Sequence, residues 1–405
     1  MEIRPISEDE FEPFALCAAA SFGYDAPPEE RNKRVAVFEF DRTLAVFDGQ
    51  EITGTGAIFS FGMTVPGGAS LPAAGVTWIS VKPTHRRRGI LRQIMRRQLD
   101  DVRDRGEPFA ALWASESQIY GRFGYGLAAE SAAISIDRRH SELAFAPAAS
   151  GRTRLVDRET ALSAWPAIFE RARPSRPGMY TRHTPWWENR VLRLHDHAPP
   201  GFGGPFLVQF EEEGVPTGYL KYRRKPGSDH GAPAGTLLVA ELVTTTGAAY
   251  VGLWRYAFGV DLVTTIEAHL RPVDEPLWWM LHDPRRLVRE PSDSLWLRLV
   301  DVPAALSARR YPVEGRLVFE VADDFCPWVA GRYELVGGPE GATCRTTAAE
   351  PAISLGVAEL GAVYMGGARL QALARAGRVA GDPANLRLAD AMFAWDPLPW
   401  CPEVF

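Results

Sequence analysis

Val76-Thr77-Trp78-Ile79-Ser80-Val81-Lys82-Pro83-Thr84-His85-Arg86-Arg87-Arg88-Gly89-Ile90-Leu91 is the stretch on which the rest of the reading depends. Residues 76–81 form an apolar run of strand type, and Lys82-Pro83-Thr84-His85 breaks it. From Leu91 the apolar positions fall at Leu91, Ile94, Met95, Leu99 and Val102, which is one face of a helix. A helix therefore starts in the arginine-glycine run. Its first amides lack partners within the helix and point, with the positive end of its dipole, beyond the strand end. Gly89 lets the backbone come close to a ligand and three arginines surround it, so the expected occupant is a phosphate or pyrophosphate. Gly106 is a helix stop, Phe109-Ala110-Ala111-Leu112-Trp113-Ala114 is a second apolar strand, and residues 115–126 follow.

Arg86-x-x-Gly89-x-Leu91 after a strand, followed by Ile119-Tyr120-Gly121-Arg122-Phe123-Gly124-Tyr125, resembles the acetyl-coenzyme A site of the GNAT N-acetyltransferase superfamily. The superfamily pattern ends in Gly or Ala, so Leu91 is a departure, while the Tyr120 segment matches a second superfamily element. The longer strings, residues 81–89 and 119–126, resemble the enhanced intracellular survival family of acetyltransferases, and that likeness extends over essentially the whole chain.

At 405 residues the chain is long enough for two or three domains. With 45 Lys and Arg against 50 Asp and Glu the net charge is −5, which argues against a dedicated nucleic-acid binder. Cys17, Cys326, Cys344 and Cys401 have neither Cys-x-x-Cys pairing nor histidines at ligand spacing, so no zinc site or disulfide framework is expected, and a reducing cytoplasm fits. The N-terminus carries no basic leader with an apolar core, and no apolar run approaches the roughly 18 residues that cross a bilayer.

Taken in order, the pattern gives an α+β fold. A first region, 1–138, holds an initial strand, a helix opened by the capping box Ser7-x-x-Glu10, a hairpin around Asp48-Gly49, and the strand–helix–strand unit above. A second region, 149–290, repeats the order of strand, break and helix without the arginine-glycine turn. It has a hairpin at Glu213-Gly214 and a strand leading through Thr246-Gly247 into a helix. Periodicity alone does not separate this from an unrelated α+β domain; the family resemblance implies a second, degenerate GNAT-like domain. The third, 291–405, has strands at 294–300, 315–321, 331–336 and 344–348, an Asp301-capped helix, and helices at 351–360 and 367–376. The pattern resembles a sterol-carrier-like domain that serves as a structural partner. The chain ends on Pro397-Leu398-Pro399-Trp400-Cys401-Pro402-Glu403-Val404-Phe405, stiff and apolar where most termini are polar and frayed, so the tail is expected to dock.

The resemblance implies acetyl transfer from acetyl-coenzyme A to an amine, with no metal. Amides around Ile79, Ser80 and Val81 would bond the pantetheine arm and thioester oxygen, an oxyanion-type stabilisation. Arg86, Arg87, Gly89 and Ile90 would hold the pyrophosphate, with Arg88 pairing outside. Tyr120 occupies the superfamily's acid position, and a phenol with an ordinary pKa of about 10 is protonated at neutral pH. Tyr125 is its competitor and is read as packing. Ser115 either assists near the thiol or caps the following turn. No Glu or His of the first region is an evident base, and the family resemblance assigns that work to the C-terminal carboxylate, here on Phe405. Phe22, Asp25 and Glu403 are candidate contacts to a cationic acceptor, Asp25 because the family uses an acid there. His195-Asp196-His197 lacks a third ligand, and His85 is read as structural. The expected acceptors are polycationic amines of the aminoglycoside type, or alternatively a protein lysine or N-terminus. A non-catalytic lipid-binding protein is the rival from another class. The resemblance further implies a homo-oligomer, a hexamer.

Overall fold

In the computed structural model of the chain, residues 1–24, 35–193 and 199–405 are described. They form two compact units, one made of residues 1–129, 293–399 and 404–405 and the other of 130–292 and 400–403. The first and third regions of the sequence thus share one body.

The first unit begins with β1 (Glu2–Arg4), α1 (Phe11–Phe22), β2 (Thr43–Asp48), β3 (Glu51–Thr64), β4 (Ser70–Val81), α2 (Ile90–Asp104) and β5 (Phe109–Trp113). These strands lie in the order β1-β2-β3-β4-β5. β2 and β3 meet at the expected Asp48-Gly49 turn, where Asp48 pairs with Glu51 and Gly49 is left-handed. The Ser7–Glu10 capping box is present, although it opens a single 3-10 turn ahead of α1. α2 starts one residue before the first apolar position of the sequence pattern: Ile90 is buried in place of Leu91, with Ile94, Met95, Leu99 and Val102 behind it. Ile90 and Ile94 pack with Leu44 and Val46, while buried Gln98 donates to the Ala57 carbonyl at 3.1 Å and fixes the helix on β3. On the other face, Phe11 and Phe14 of α1 stack around Trp78 and Phe38. A short helix, α3 (Ser117–Tyr120), and a 3-10 turn (Gly121–Phe123) then lead into β6 (Gly126–Asp137).

The second unit contains β7 (Arg152–Leu155), α4 (Arg158–Ala172), β8 (Phe206–Glu212), β9 (Val215–Lys225), the small pair β10 (Ser228–Asp229) and β11 (Ala232–Pro233), β12 (Gly235–Thr244), α5 (Gly247–Gly259) and β13 (Val263–Pro272). Its strands run β6-β13-β12-β9-β8-β7, with β12 and β13 parallel and joined by α5. The β8–β9 turn is Glu213-Gly214, both left-handed, as an Asx- or Glu-Gly hairpin requires. Trp254, Leu253, Ile266 and Leu237 form its core. A proline at position 166 lies inside α4.

β14 (Val288–Leu299) returns to the first unit, where residues 295–299 pair antiparallel with β5. α6 (Val302–Ala308) is capped by Asp301, whose carboxylate accepts from Ala304 N at 2.9 Å. A five-stranded sheet follows, in the order β17-β16-β15-β18-β19: β15 (Gly315–Ala322), β16 (Gly331–Gly338), β17 (Gly341–Thr346), β18 (Ile353–Gly356) and β19 (Val379–Gly381). Two readings of this region are corrected. Residues 351–360 are not one helix: 353–356 pair parallel with β15, and α7 (Val357–Tyr364) starts only after them. Ile353 and Leu355 alternate inward as a strand does, and a four-residue buried strand cannot be told from a helix turn by periodicity. α8 (Leu370–Arg375) is as expected, but α9 (Pro383–Phe393) was missed although Asp382 caps it and Pro383 opens it.

Candidate active site

β3 and β4 are not regular where they approach α2. Thr55 pairs with Ser80 and Ala57 with Thr77, so Gly56 alone opposes both Trp78 and Ile79. Trp78 takes a positive φ of 55° in this bulge. Thr55 holds it, donating to the Trp78 carbonyl at 2.7 Å and lying 2.6 Å from the Ser80 hydroxyl. The parallel pairing of β4 with β5 covers 73–75 against 109–111, whereas β4 runs on to Val81. The extension past the paired stretch gives Ile79, Ser80 and Val81 to the wall of a cleft of about 880 Å³.

The turn after β4 is shaped for an anion. Arg86 is extended, Arg87 has φ of 65° and Gly89 φ of 80°, so successive residues alternate in hand, the backbone pattern from which anion-binding nests are built. A positive φ at arginine is strained and persists only where its surroundings demand it. α2 starts on Gly89 with no side-chain cap, which leaves its first amides facing the cleft. Arg86, Arg87, Gly89, Ile90 and Leu91 all line it, and Arg88 does not. Arg92 and Arg122 add two more guanidinium groups, and among the described lining residues Glu116 is the one carboxylate. His85 lines the cleft too, with Nε2 3.5 Å from Asp48 and Nδ1 2.8 Å from the Thr84 hydroxyl.

From the opposite wall come Ser115, Ile119 and Tyr120, carried by the segment after β5 and by α3. Tyr120 is buried, and the loss of hydration raises its pKa above the ordinary phenol value. The Ser115 side chain hydrogen-bonds it and acts in the other direction, while Glu116 adds to the rise. The ring of Tyr125 stands 6.2 Å from that of Tyr120, but it is fully buried, and among the described residues its hydroxyl has no hydrogen-bond partner and it is not part of the cleft wall.

The other candidate residues are dispersed. Phe22 lines the cleft at the end of α1, half exposed at 49%. Asp25 lies outside the described residues, as do His195, Asp196 and His197. Phe405 is buried: its ring meets Phe61 edge to face at 5.2 Å, and its terminal oxygen accepts from Thr77 Oγ1 of β4 at 3.1 Å. Glu403 belongs to the second unit, where Tyr180 and the Trp186 indole donate to it at 3.1 and 2.9 Å and Arg182 approaches to 3.0 Å. Among the described residues no group of three His, Cys, Asp or Glu side chains is arranged to hold a metal ion. All four cysteines are free, and burial lifts Cys17 to about 11.

The sequence reading did not single out Arg92, Glu116 or Arg122. Arg92 carried a signal, one helical turn beyond Gly89, whereas nothing local marks Glu116. The helix of the second unit in the corresponding place differs from α2. Thr246 caps α5 through Ala249 N at 3.1 Å, and the Thr246 hydroxyl donates to Glu212 at 2.6 Å. That helix end is closed by its own side chain and faced by a carboxylate, whereas α2 starts without a side-chain cap.

The comparisons agree with this geometry. Models described as acetyltransferase (GNAT) domains match residues 2–128 and 178–299, and one described as a sterol carrier protein domain matches 302–402. The chain is 35% identical to N-acetyltransferase Eis of Mycobacterium tuberculosis over 96% of both chains. It is 41% identical to an uncharacterized N-acetyltransferase of Streptomyces coelicolor over the full length of each. The crystal structure of Eis1 from Mycobacterium abscessus superposes with a TM-score of 0.87 at 36% identity, covering both chains completely. An unpaired helix start ringed with arginine, a buried phenol across the cleft from it, and full-length relatives of this kind have one reading: the chain belongs to the Eis family of GNAT N-acetyltransferases, enzymes that use acetyl-coenzyme A.

Proposed function

We propose that this enzyme transfers acetyl from acetyl-coenzyme A to primary amines of polycationic small molecules of the aminoglycoside type, with Tyr120 as general acid and the Phe405 carboxylate as base. The carrying observation is that buried, protonated Tyr120 opens on the same cleft as the anion-binding turn of Arg86, Arg87 and Gly89. Acetyl-coenzyme A would lie with its pyrophosphate on that turn and on the first amides of α2. Its pantetheine would run along Ile79, Ser80 and Val81 past the bulge. The amine nitrogen attacks the thioester carbon, the C–S bond breaks, and the departing thiolate takes the Tyr120 proton. The ammonium proton passes to the terminal carboxylate, which Thr77 holds on β4, the strand whose far end lines the cleft. The sterol-carrier region (291–405) thus completes the site of the GNAT region (1–138), while region 149–290 is a GNAT domain without coenzyme.

Support for a cationic acceptor comes from Glu116 and the half-exposed ring of Phe22 at the cleft. The same proposal includes a hexamer in the cytoplasm, on the family resemblance alone. The test is a deletion of Phe405 assayed beside the parent with labelled acetyl-coenzyme A on aminoglycosides, polyamines and lysine peptides. Loss of most turnover on aminoglycosides with retained coenzyme binding is expected. Undiminished turnover without Phe405 removes the base from the mechanism, and faster acetylation of peptides than of aminoglycosides makes a protein the acceptor.

A further inference from the structure

The two walls of the cleft, joined through the β4–β5 pairing, are bridged a second time from the sterol-carrier region. Phe325, buried in the loop between β15 and β16 of the sterol-carrier region, touches both. Its ring lies 5.0 Å from that of Phe123, on the Tyr120 wall, and 5.1 Å from the Arg92 guanidinium, on the α2 wall; both residues line the cleft. Arg96, the next turn of α2, sits over the same ring at 4.3 Å and donates to the Phe325 carbonyl. The loop is itself fixed. Asp323 accepts from Phe325 N at 3.0 Å and Cys326 N at 2.8 Å, and fully buried Arg298 joins the Asp323 carboxylate to the Phe123 carbonyl at 2.5 Å. The contacts close a ring that runs from α2 through Phe325, Asp323 and Arg298 to the turn after Tyr120.

We infer that Phe325 is a positioning residue for the coenzyme, holding Arg92 and the Tyr120 wall at the separation that acetyl-coenzyme A requires. The inference rests on the reading of this cleft as the coenzyme site. A guanidinium attracted to a ring face keeps its charge and its outward donors, so Phe325 orders Arg92 without neutralising it. A carboxylate in that position would compete with the phosphates. The effect falls on coenzyme binding, because the group whose charge the ring orders, Arg92, lies on α2 one turn past Gly89, while Tyr120 is held by its own burial and by Ser115.

Calorimetric titration with coenzyme A, together with acetyl-transfer kinetics at saturating amine, tests this on the full-length parent, Phe325→Leu, Phe325→Tyr and Arg86→Ala. Phe325→Leu keeps apolar bulk but no ring face, and it should weaken coenzyme A and raise the KM for acetyl-coenzyme A by about three- to tenfold, with kcat and the KM for amine unchanged. Phe325→Tyr, which keeps the ring, should stay within twofold of the parent. Coenzyme affinity within twofold of the parent in Phe325→Leu overturns the inference, as does a loss of kcat in step with thermal stability. Arg86→Ala separates the two failures. If it binds coenzyme A as tightly as the parent, the cleft reading itself falls; if it loses coenzyme while Phe325→Leu does not, only the role of Phe325 falls.

Discussion

Tyr120 and Tyr125 carry the same side chain five positions apart, and their surroundings separate them. Tyr125 is sealed, with no hydrogen-bond partner for its hydroxyl among the described residues, while Tyr120 is buried against the cleft with Ser115 as partner. Removing the Tyr120 hydroxyl should lower kcat by roughly 10²- to 10⁴-fold. Thermal stability should change little, since one hydrogen bond contributes about 1 kcal/mol net. Steady-state kinetics of Tyr120→Phe beside a melting curve checks both. The direction of the pKa shift fixes the pH profile as well. Burial raises the phenol's pKa, so the protonated form that acts as acid persists beyond the ordinary value of about 10. The alkaline fall of kcat should therefore lie above pH 10, and a fall centred between pH 7 and 9 in a rate–pH profile would assign the acid elsewhere.

At the scale of elements, the anion turn and the turn after Tyr120 both depend on left-handed backbone. Gly89, with φ of 80° and little beside it, leaves the approach to the first amides of α2 open. Valine there is strained and covers those amides, so Gly89→Val should raise the KM for acetyl-coenzyme A by about tenfold or more, the worth of roughly 1.4 kcal/mol, as measured in initial rates. Gly124, φ 80°, is constrained by packing, because a Cβ would fall 1.6 Å from an Arg298 nitrogen. That arginine and Asp323 form a buried pair, with side chains 0% and 2% exposed. Arg298→Met leaves the carboxylate uncompensated and should cost about 3–5 kcal/mol in denaturant unfolding. Arg298→Met combined with Asp323→Leu should recover part of it.

Across the whole molecule the buried tyrosines set the alkaline limit. Tyr125, Tyr219, Tyr311 and Tyr364 are buried, and burial raises each pKa. A raised folded-state pKa means that only the unfolded chain ionises readily near pH 10. Stability is therefore full below that pH and is lost as pH rises through it. The tyrosinate absorbance of these four buried rings should appear together with unfolding, not ahead of it, in a titration followed at once by ultraviolet absorbance and circular dichroism.

The sequence by itself determined what is local. Arg86-x-x-Gly89 after an apolar strand specifies an uncapped helix start beside arginines, and Asp48-Gly49 and Asp301 specify a turn and a cap, because propensity, dipole and hydrogen-bond chemistry act over a few residues. Only the tertiary structure decided what depends on distant partners. The Trp78 bulge exists because Thr55, on another strand, holds it. Residues 353–356 are a strand because β15 pairs with them. Phe405 rests on Thr77, and Phe325 spans α2 and the Tyr120 turn, across separations of hundreds of residues. No period or motif encodes such contacts, since the free energy that selects them comes from burial and pairing between surfaces that exist only once the chain has folded.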